Sequence, residues 1–473
     1  MTQPATQRTM LFPGGDETIA ALATATGRGA VALIRISGKL AFAVAQKLGA
    51  PISPTARVAT RCKLHHPTSG EPLDDVLVTF FVGPNSFTGE DVVEISTHGG
   101  RIVPTNVLAA CLSAGARQAL PGEFTRRALL SGRIDLLQAE AIADLVDART
   151  SAMQRQALAQ LDGGLSRRLT ALRRDIIALE VLLAYDIDFP EEDDGPITPV
   201  RIVNALAAVR IQLEALLATA PRAALVRDGA LVVIAGPPNA GKSSLFNALL
   251  GEGRALVTEI PGTTRDAIEA LLDTPKIPLR LVDTAGLRAT DDIVERLGIE
   301  VSERYVGQAQ LVLACAEDID GLKRTIARVG PLTNAPVVAV LTKSDGRTNV
   351  ELDERQASIA IGGAVIAVSA EKGTGLAELL TNIVTRLSDE NSETDVNFFS
   401  DDTRLTRDRH RVAIALALEE IILFEHAWRE DEVPAAIAAV HLRAAAHTLD
   451  ELVGSISVDD VLDKLFRDFC VGK

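Results

Sequence analysis

The sequence predicts a multidomain fold: an α+β N-terminal domain, then an α-helical domain divided along the chain by an inserted α/β domain. Three observations predict it. Residues 17–131 mix short apolar strand candidates with helical stretches, the segments flanking residues 229–388 carry helical apolar periodicity, and between them short apolar runs alternate with helices. The helices beyond residue 389, through Ile414, Leu416, Ile421, Leu423, Val440, Leu449, Leu452, Val461 and Leu465, cannot bury their faces alone. They are expected to pack on the helices of 132–219, which makes the helical domain discontinuous. The expected boundaries are 1–131, 132–228, 229–388 and 389–473.

Composition narrows the class. The chain has 473 residues, 47% hydrophobic and 23% charged, enough for several globular cores. Its longest uninterrupted apolar runs, such as 230–235, 311–316 and 336–341, are far shorter than the roughly 20 residues of a membrane span. The N-terminal residues show neither a secretion nor an import pattern, so the cytoplasm is the expected compartment and no membrane partner is expected. Cys62, Cys111, Cys315 and Cys470 lack the spacing of a zinc site or a disulfide framework. With a net charge of −15, a nucleic-acid partner would need a locally basic face.

In the N-terminal domain, strands are expected at 30–36, 76–82 and 92–95, and a helix at 102–114. Segments 26–30, 84–91, 97–101 and 121–125 concentrate glycine, polar and charged residues and read as loops, either plain turns or functional. His98 has no second ligand at helical spacing and reads as a loop residue rather than a metal ligand. From 132 to 186 the pattern becomes long helices, with Leu136, Ala139, Ile142, Ala143 and Val146 on one face and Leu165, Leu169, Leu172, Ile176 and Leu179 on another. Gly163-Gly164 breaks or kinks them, and the acidic run 186–196 reads as a solvated loop, with a cation-binding carboxylate cluster as the alternative. A helix over about 201–219 should end near Pro221, marking a boundary.

The inserted domain is organised around Gly236-Pro237-Pro238-Asn239-Ala240-Gly241-Lys242-Ser243, placed between the apolar run 230–235 and the helical start at Ser244. The pattern is that of a phosphate loop. Its glycines allow backbone N–H groups to curl around an anion, while Lys242 reaches phosphate and Ser243 reaches Mg²⁺. Further motifs follow in the order a nucleotide hydrolase needs. Asp283-Thr284-Ala285-Gly286 follows the strand pattern 279–282: Asp283 can hold Mg²⁺ through water and the Gly286 N–H can meet a γ-phosphate. Thr342-Lys343-Ser344-Asp345 follows the strand pattern 337–341, and the Asp345 carboxylate can accept both donors on the guanine edge, a pair adenine lacks. Ser369-Ala370 follows 364–368 and offers a backbone N–H to the guanine oxygen. The expected ligands are therefore GTP and GDP. Thr342 stands where Asn is usual and Glu371 where a basic residue is common, which leaves discrimination to Asp345. Between these motifs, 258–266 reads as a switch loop in which Thr264 completes Mg²⁺ coordination. Leu287 follows Gly286 where Ras-like enzymes carry the water-orienting Gln, and Glu295 is the nearest carboxylate to replace it.

Asn239, the run Gly262-Thr263-Thr264-Arg265-Asp266, Asp283 to Arg288 with Glu295, and the terminal Phe469-Cys470-Val471-Gly472-Lys473 closely resemble the MnmE (TrmE) family of tRNA-uridine-modification GTPases. Gly27-Arg28-Gly29 with 33–38, Gly83 to Asp91 and Pro121-Gly122-Glu123-Phe124 resemble that family's folate-binding domain, so the likeness spans almost the whole chain. It implies an N-terminal folate-binding and dimerisation domain, a Ras-like G domain, and a homodimer whose G domains meet in the GTP state. It also implies that Asn239, Thr258, Ile260 and Thr263 surround K⁺, that Ser243 and Thr264 take Mg²⁺, and that Glu295 orients water through a bridging molecule. The catalytic set is then Glu295, Lys242 and Thr264. Arg35, Glu94, Arg133 and Lys473 map to positions for a 5-formyl- or methylene-tetrahydrofolate, and Cys470 falls near that site.

The implied activity is K⁺-stimulated GTP hydrolysis. With an FAD-dependent partner of the MnmG (GidA) type, it would serve to place an aminomethyl or carboxymethylaminomethyl group at C5 of the tRNA wobble uridine. The chain carries no flavin or NAD fingerprint, which assigns the flavin to the partner. The competing reading is a GTP-switched ribosome or RNA assembly factor without modification chemistry. Arg404, Arg407, Arg409, His410 and Arg411, with Arg167, Arg168, Arg173 and Arg174, are either a basic surface for tRNA or ordinary solvated faces.

Overall fold

A computed structural model describes residues 17–188, 199–252, 254–256, 268–283, 301–347, 349–388, 404–429, 435–454 and 472. These separate into two compact units: the described residues of Met1–Ala143 with those of Asp450–Lys473, and the described residues of Asp144–Leu449.

The first unit is built on a six-stranded sheet of β1 (Ile19–Leu22), β2 (Val31–Ser37), β3 (Thr60–His65), β4 (Pro72–Phe81), β5 (Val92–His98) and β6 (Arg117–Gln118), in the order β3-β4-β5-β2-β1-β6. Alternation decides which face is buried. Ile34, Ile36, Val76, Val78, Phe80, Val93 and Ile95 form one core with Val107, Ala110 and Cys111 of helix Val103–Ser113. On the opposite face, Phe124 covers Ile19 and Ala21. Phe124 belongs to helix Glu123–Leu130, where the sequence predicts a loop. The difference has a local cause: Gly122 turns the chain in the left-handed region, and Glu123 enters the first helical turn held by Arg127 one turn later. Strands β1, β3 and β6 and helix Ala41–Lys47 were not anticipated, being short or of mixed polarity.

The second unit contains a seven-stranded sheet of β7 (Ala230–Ala235), β8 (Arg254–Leu256), β9 (Ile268–Asp273), β10 (Leu279–Asp283), β11 (Leu311–Ala316), β12 (Val337–Leu341) and β13 (Val365–Ala367), ordered β13-β12-β11-β7-β10-β9-β8. β7, β10, β11, β12 and β13 are parallel, while β8 and β9 add antiparallel pairs at one edge. Every residue of β7 and β11 is buried, as expected for central strands covered on both faces. The phosphate loop and the loops expected to recognise the base leave the carboxyl ends of these strands, where ligands of open α/β sheets bind.

Long helices surround this sheet in sequence. Gly164–Asp188 buries Leu165, Leu169, Leu172, Ile176 and Leu179 as its periodicity predicts, and Gly163 separates it from helix Ser151–Leu161. Helix Pro199–Asp228 is longer than expected and runs through Pro221. An internal proline removes one helical hydrogen bond and costs about 3 kcal/mol. Here the turns beyond it are held by packing, with Ala223 and Val226 buried and Val226 in the core of the sheet. By length and composition this helix is apolar enough to cross a membrane. Its apolar residues Ile202, Leu206, Val209, Leu213 and Leu216 are instead buried along one stripe against neighbouring helices. Helix Asp408–Arg429 packs against Pro199–Asp228, with Arg210 bound to Glu425 at 3.0 Å, and Arg443 of helix Ala435–Val453 binds Glu180 at 2.5 Å. Ile414, Ile421, Leu449 and Leu452 are buried, but Leu416, Leu423 and Val440, assigned to the core from sequence, are 49%, 43% and 55% exposed. Helix Gly164–Asp188 continues through Asp186-Ile187-Asp188, where the sequence predicts the acidic loop, and 189–196 lie outside the described residues.

Candidate functional site

The phosphate loop leaves β7 as a strand–loop–helix unit closing into helix Lys242–Glu252. Asn239 sits at φ 64°, the left-handed region that Asn tolerates better than other side chains, so the loop curls as an anion cradle does. Lys242 is buried and its Nζ donates to Gly236 O at 3.0 Å and Pro237 O at 2.8 Å. The ammonium is thereby held over its own loop. Ser243 Oγ donates to Asp283 Oδ2 at 2.5 Å, bringing together a hydroxyl and a carboxylate from different strand ends. Such hard oxygen donors suit Mg²⁺. Ser244 follows, exposed, in the first helical turn.

The residues expected to read the base line a cavity of about 180 Å³, formed by Gly241, Ser244, Thr342, Lys343, Asp345, Ala370 and Glu371, among others. Ala240, which precedes Gly241, accepts the Thr342 hydroxyl at 2.8 Å, and the same hydroxyl lies 3.1 Å from Ala316 O. Thr342 therefore ties the phosphate loop to the ends of β11 and β12. Lys343 is in the left-handed region and pairs with Glu317. The fully buried Ser369 donates its hydroxyl to Asp345 Oδ1 at 2.7 Å. That bond, with a backbone hydrogen bond, holds the Asp345 carboxyl below the usual carboxylate range. Ser369 spends its own backbone N–H on Thr374 O, which leaves Ala370 to supply the N–H expected at the guanine oxygen.

Other residues of the expected nucleotide site, namely Thr258, Ile260, Gly262, Thr263, Thr264, Thr284, Ala285, Gly286 and Glu295, lie outside the described residues, as do Leu287, Cys470 and Lys473. Just before β10, the β9–β10 turn is gripped by the N-terminus of helix Ser151–Leu161. Asp273 accepts Ser151 N–H at 3.2 Å and Ser151 Oγ at 3.0 Å, and Arg155 donates to Pro275 O. Ala152 joins the hydrophobic core of the sheet. This grip is not legible locally, because its partners are about 120 residues apart.

In the first unit, Arg35 on β2 and Glu94 on β5 are register partners and form an ion pair at 2.8 Å. The guanidinium lies 5.3 Å from the Phe87 ring centroid and 5.7 Å from that of Phe124, so three sequence-distant motifs meet around one cation. A buried polar network backs them. Ser37 Oγ is 2.7 Å from both Thr88 Oγ1 and Glu90 Oε2, Arg127 binds Glu90 at 2.9 Å and Glu123 at 3.0 Å, and Arg117 binds Glu123 at 2.7 Å. Burial pushes the Glu123 carboxyl up, but Arg117, the Leu120 N–H and Arg127 together hold it below its ordinary value. Arg133 is beside this loop, since a Cβ built on Gly89 would stand 3.4 Å from Arg133 Cγ. Gly472, at φ 101°, packs so closely on β1 that an added Cβ would fall 2.3 Å from Leu22 O. Leu22 pairs with Ile34, next to Arg35, so the residue before Lys473 is placed against β1, the neighbour of the strand that carries Arg35. Arg127, Ser131, whose hydroxyl donates to Thr88 O at 2.7 Å, and the network around Glu90 were missed from sequence. Their only local signal is the Glu123/Arg127 spacing of one helical turn.

Other sequence candidates fare differently. Burial pushes the Cys111 and Cys315 thiols up to about 12, which keeps them protonated and inert at neutral pH. Of the proposed basic helical surface, His410 is fully buried beside Thr406, and Arg407 pairs with Asp144 at 2.5 Å. Those two are structural. Arg167 donates to Asp162 O, Arg174 pairs with Asp175, and Arg411 lies 3.6 Å from Asp408.

Two family models match the chain: the MnmE helical domain over residues 136–470 and the N-terminus of the GTP-binding protein TrmE over residues 18–133. A tRNA modification GTPase MnmE from Azoarcus sp. (strain BH72) is 40% identical over 465 residues, covering 98% of this chain and 99% of its own. That of Heliobacterium modesticaldum is 40% identical over 471 residues, covering 97% and 99%. Among solved structures, the G domain of the T. maritima FeoB iron transporter matches 33% of this chain and 98% of its own, at 26% identity and a TM-score of 0.27. With relatives this similar along nearly its whole length, and a phosphate loop and Arg35–Glu94 centre where the motifs lead, the chain belongs to the MnmE family.

Proposed function

We propose that this chain is a GTPase of tRNA modification that works at C5 of the wobble uridine, in the cytoplasm, with a tetrahydrofolate one-carbon donor and an FAD-dependent partner of the MnmG (GidA) type. The observation that carries the reading is the presence, in one chain of this family, of a guanine-type pocket at Asp345 and a second centre at Arg35 and Glu94. An assembly factor would need the first and have no use for the second.

In the G domain, Lys242 holds the β- and γ-phosphates, Asp345 and Ala370 read the base, and Ser243 with Thr264 holds Mg²⁺ backed by Asp283. Asn239, Thr258, Ile260 and Thr263 hold K⁺, which when bound supplies positive charge between the phosphates. Glu295 orients water in place of the glutamine that Leu287 replaces, and Thr284, Ala285 and Gly286 follow the γ-phosphate. In the N-terminal domain, Arg35, Glu94, Arg133 and Lys473 hold the 5-formyl- or methylene-tetrahydrofolate, which when bound supplies the carbon. Domain limits of 1–131, 132–228, 229–388 and 389–473 fit this division of labour, in a homodimer whose G domains meet in the GTP state.

Hydrolysis tests the nucleotide half. At fixed ionic strength, GTP turnover is expected to be faster in K⁺ than in Na⁺, and Glu295→Ala is expected to slow it with GTP affinity little changed. Equal rates in the two salts would remove the K⁺ site from the account.

A further inference from the structure

Loops 26–30 and 98–101 of the N-terminal domain, both conspicuous for glycine and charge, meet at one end of the sheet. Gly29 N–H donates to Gly99 O at 2.8 Å and Gly99 N–H to Ala30 O at 3.1 Å. No larger residue fits at 99, where a Cβ would stand 2.6 Å from Gly29 O. The loops are therefore one pinned structure, with Arg28 one residue and Arg101 two residues from the contact. Both arginines are exposed, and among the described residues neither has an ion-pair partner.

His98 stands beside them with its side chain 73% exposed. Asp74, itself largely buried, accepts the His98 N–H at 2.9 Å and lies 2.7 Å from Nδ1. The carboxylate fixes the ring through Nδ1 and leaves Nε2 toward solvent. On β3, Arg61 and Lys63 are exposed, Arg61 binding Asp75 at 2.6 Å and Lys63 being its register partner. Against Asp74 beside His98 and Asp75 beside Arg61 and Lys63, the four cations Arg28, Arg61, Lys63 and Arg101 give these loops and strand ends a local excess of positive charge on a chain whose net charge is −15. Such a patch draws a polyanion to one place on a molecule that otherwise repels it.

Strand register fixes its distance from the one-carbon centre. Arg35 pairs with Glu94 and Val31 with His98, four residues along the same two strands. At about 3.3 Å per residue that is about 13 Å, a span of one or a few nucleotides. We propose that the joined loops are the docking edge for RNA phosphates flanking the target uridine, with Arg28 and Arg101 donating to phosphate and His98 Nε2 hydrogen-bonding a ribose 2′-hydroxyl. The proposal rests on reading the Arg35–Glu94 centre as the one-carbon site, because only then must the base come there and bring its neighbouring phosphates with it. The helical arginines are a poorer edge, with His410 buried and Arg407 tied to Asp144.

The test is the affinity of the full chain for an anticodon stem-loop RNA carrying an unmodified wobble uridine, measured by fluorescence anisotropy across a KCl series. Arg28→Ala and Arg101→Ala are each expected to weaken binding several-fold and to lower the slope of log affinity against log salt by about 1. Arg28→Lys and Arg101→Lys should keep the slope. Unchanged melting temperature and GTP turnover will show that the variants are folded. If the double alanine variant binds with wild-type affinity and slope while reduced folate still binds, the docking edge is wrong and the one-carbon centre stands. If the wild-type chain binds no reduced folate, the centre itself is wrong and the proposal goes with it.

Discussion

Thr342 has one hydroxyl proton and two backbone carbonyls within reach, at Ala240 and Ala316, so it is committed to the protein and has nothing left to donate to the base. On the proposed reading discrimination then falls on Asp345, which can accept from guanine only while ionised. The Ser369 hydroxyl keeps it so. The sign follows: guanine binding is lost as pH falls through the Asp345 pKa, and removing the bond that depresses this pKa raises it. Ser369→Ala is expected to shift the acid limb of GDP affinity to higher pH, with little change at neutrality. Calorimetric titrations with GDP at a series of pH values will show it, and coincident acid limbs would contradict it. Asp345 was legible in sequence because it stands at a fixed offset from a strand end. The role of the Ser369 side chain was not, since it arises only when two loops 24 residues apart close on each other.

Elements that carry uninterrupted apolar runs, β7, β11 and β12, were legible because central strands buried on both faces have no polar positions. Helix Pro199–Asp228 was misjudged at Pro221 because packing of its last turns, a tertiary effect, outweighs a local breaker. The β9–β10 hairpin is the element whose position matters most. β9 begins immediately after the predicted switch loop, β10 ends at Asp283, and the turn between them is held by Ser151 and Arg155. A displacement at the nucleotide end can pass along the hairpin to the helix that grips its other end. Asp273→Ala is expected to cost about 1–2 kcal/mol locally and to speed amide exchange in 273–278 and in the first turn of helix Ser151–Leu161, with GDP affinity unchanged. Unaltered exchange in both segments would show the grip to be incidental. At the other end of the chain, Gly472→Ala is expected to displace residue 472 from β1, because both its φ and the closeness of Leu22 O exclude a side chain. Reduced-folate binding should fall at least tenfold while GTP turnover by the isolated protein is retained. Equal folate affinity would separate the C-terminus from that site.

At the scale of the molecule, the nucleotide pocket belongs to one compact unit and the Arg35–Glu94 centre to the other. The multidomain layout was legible because composition changes along the chain: mixed strands and loops, long periodic helices, then alternating apolar runs and helices. The convergence of Arg35, Phe87, Glu94 and Phe124 was not legible from periodicity, since it depends on strand order and on a helix that the residues Pro121-Gly122 disguise as a turn. The central claim is that this pairing of sites serves C5 chemistry on the wobble uridine. It is tested most directly by mass analysis of wobble nucleosides from cells depleted of the protein and then supplied with it. The account predicts loss of the aminomethyl or carboxymethylaminomethyl group on depletion and its return with the wild-type chain, but not with Arg35→Ala. An unchanged nucleoside profile on depletion would contradict it.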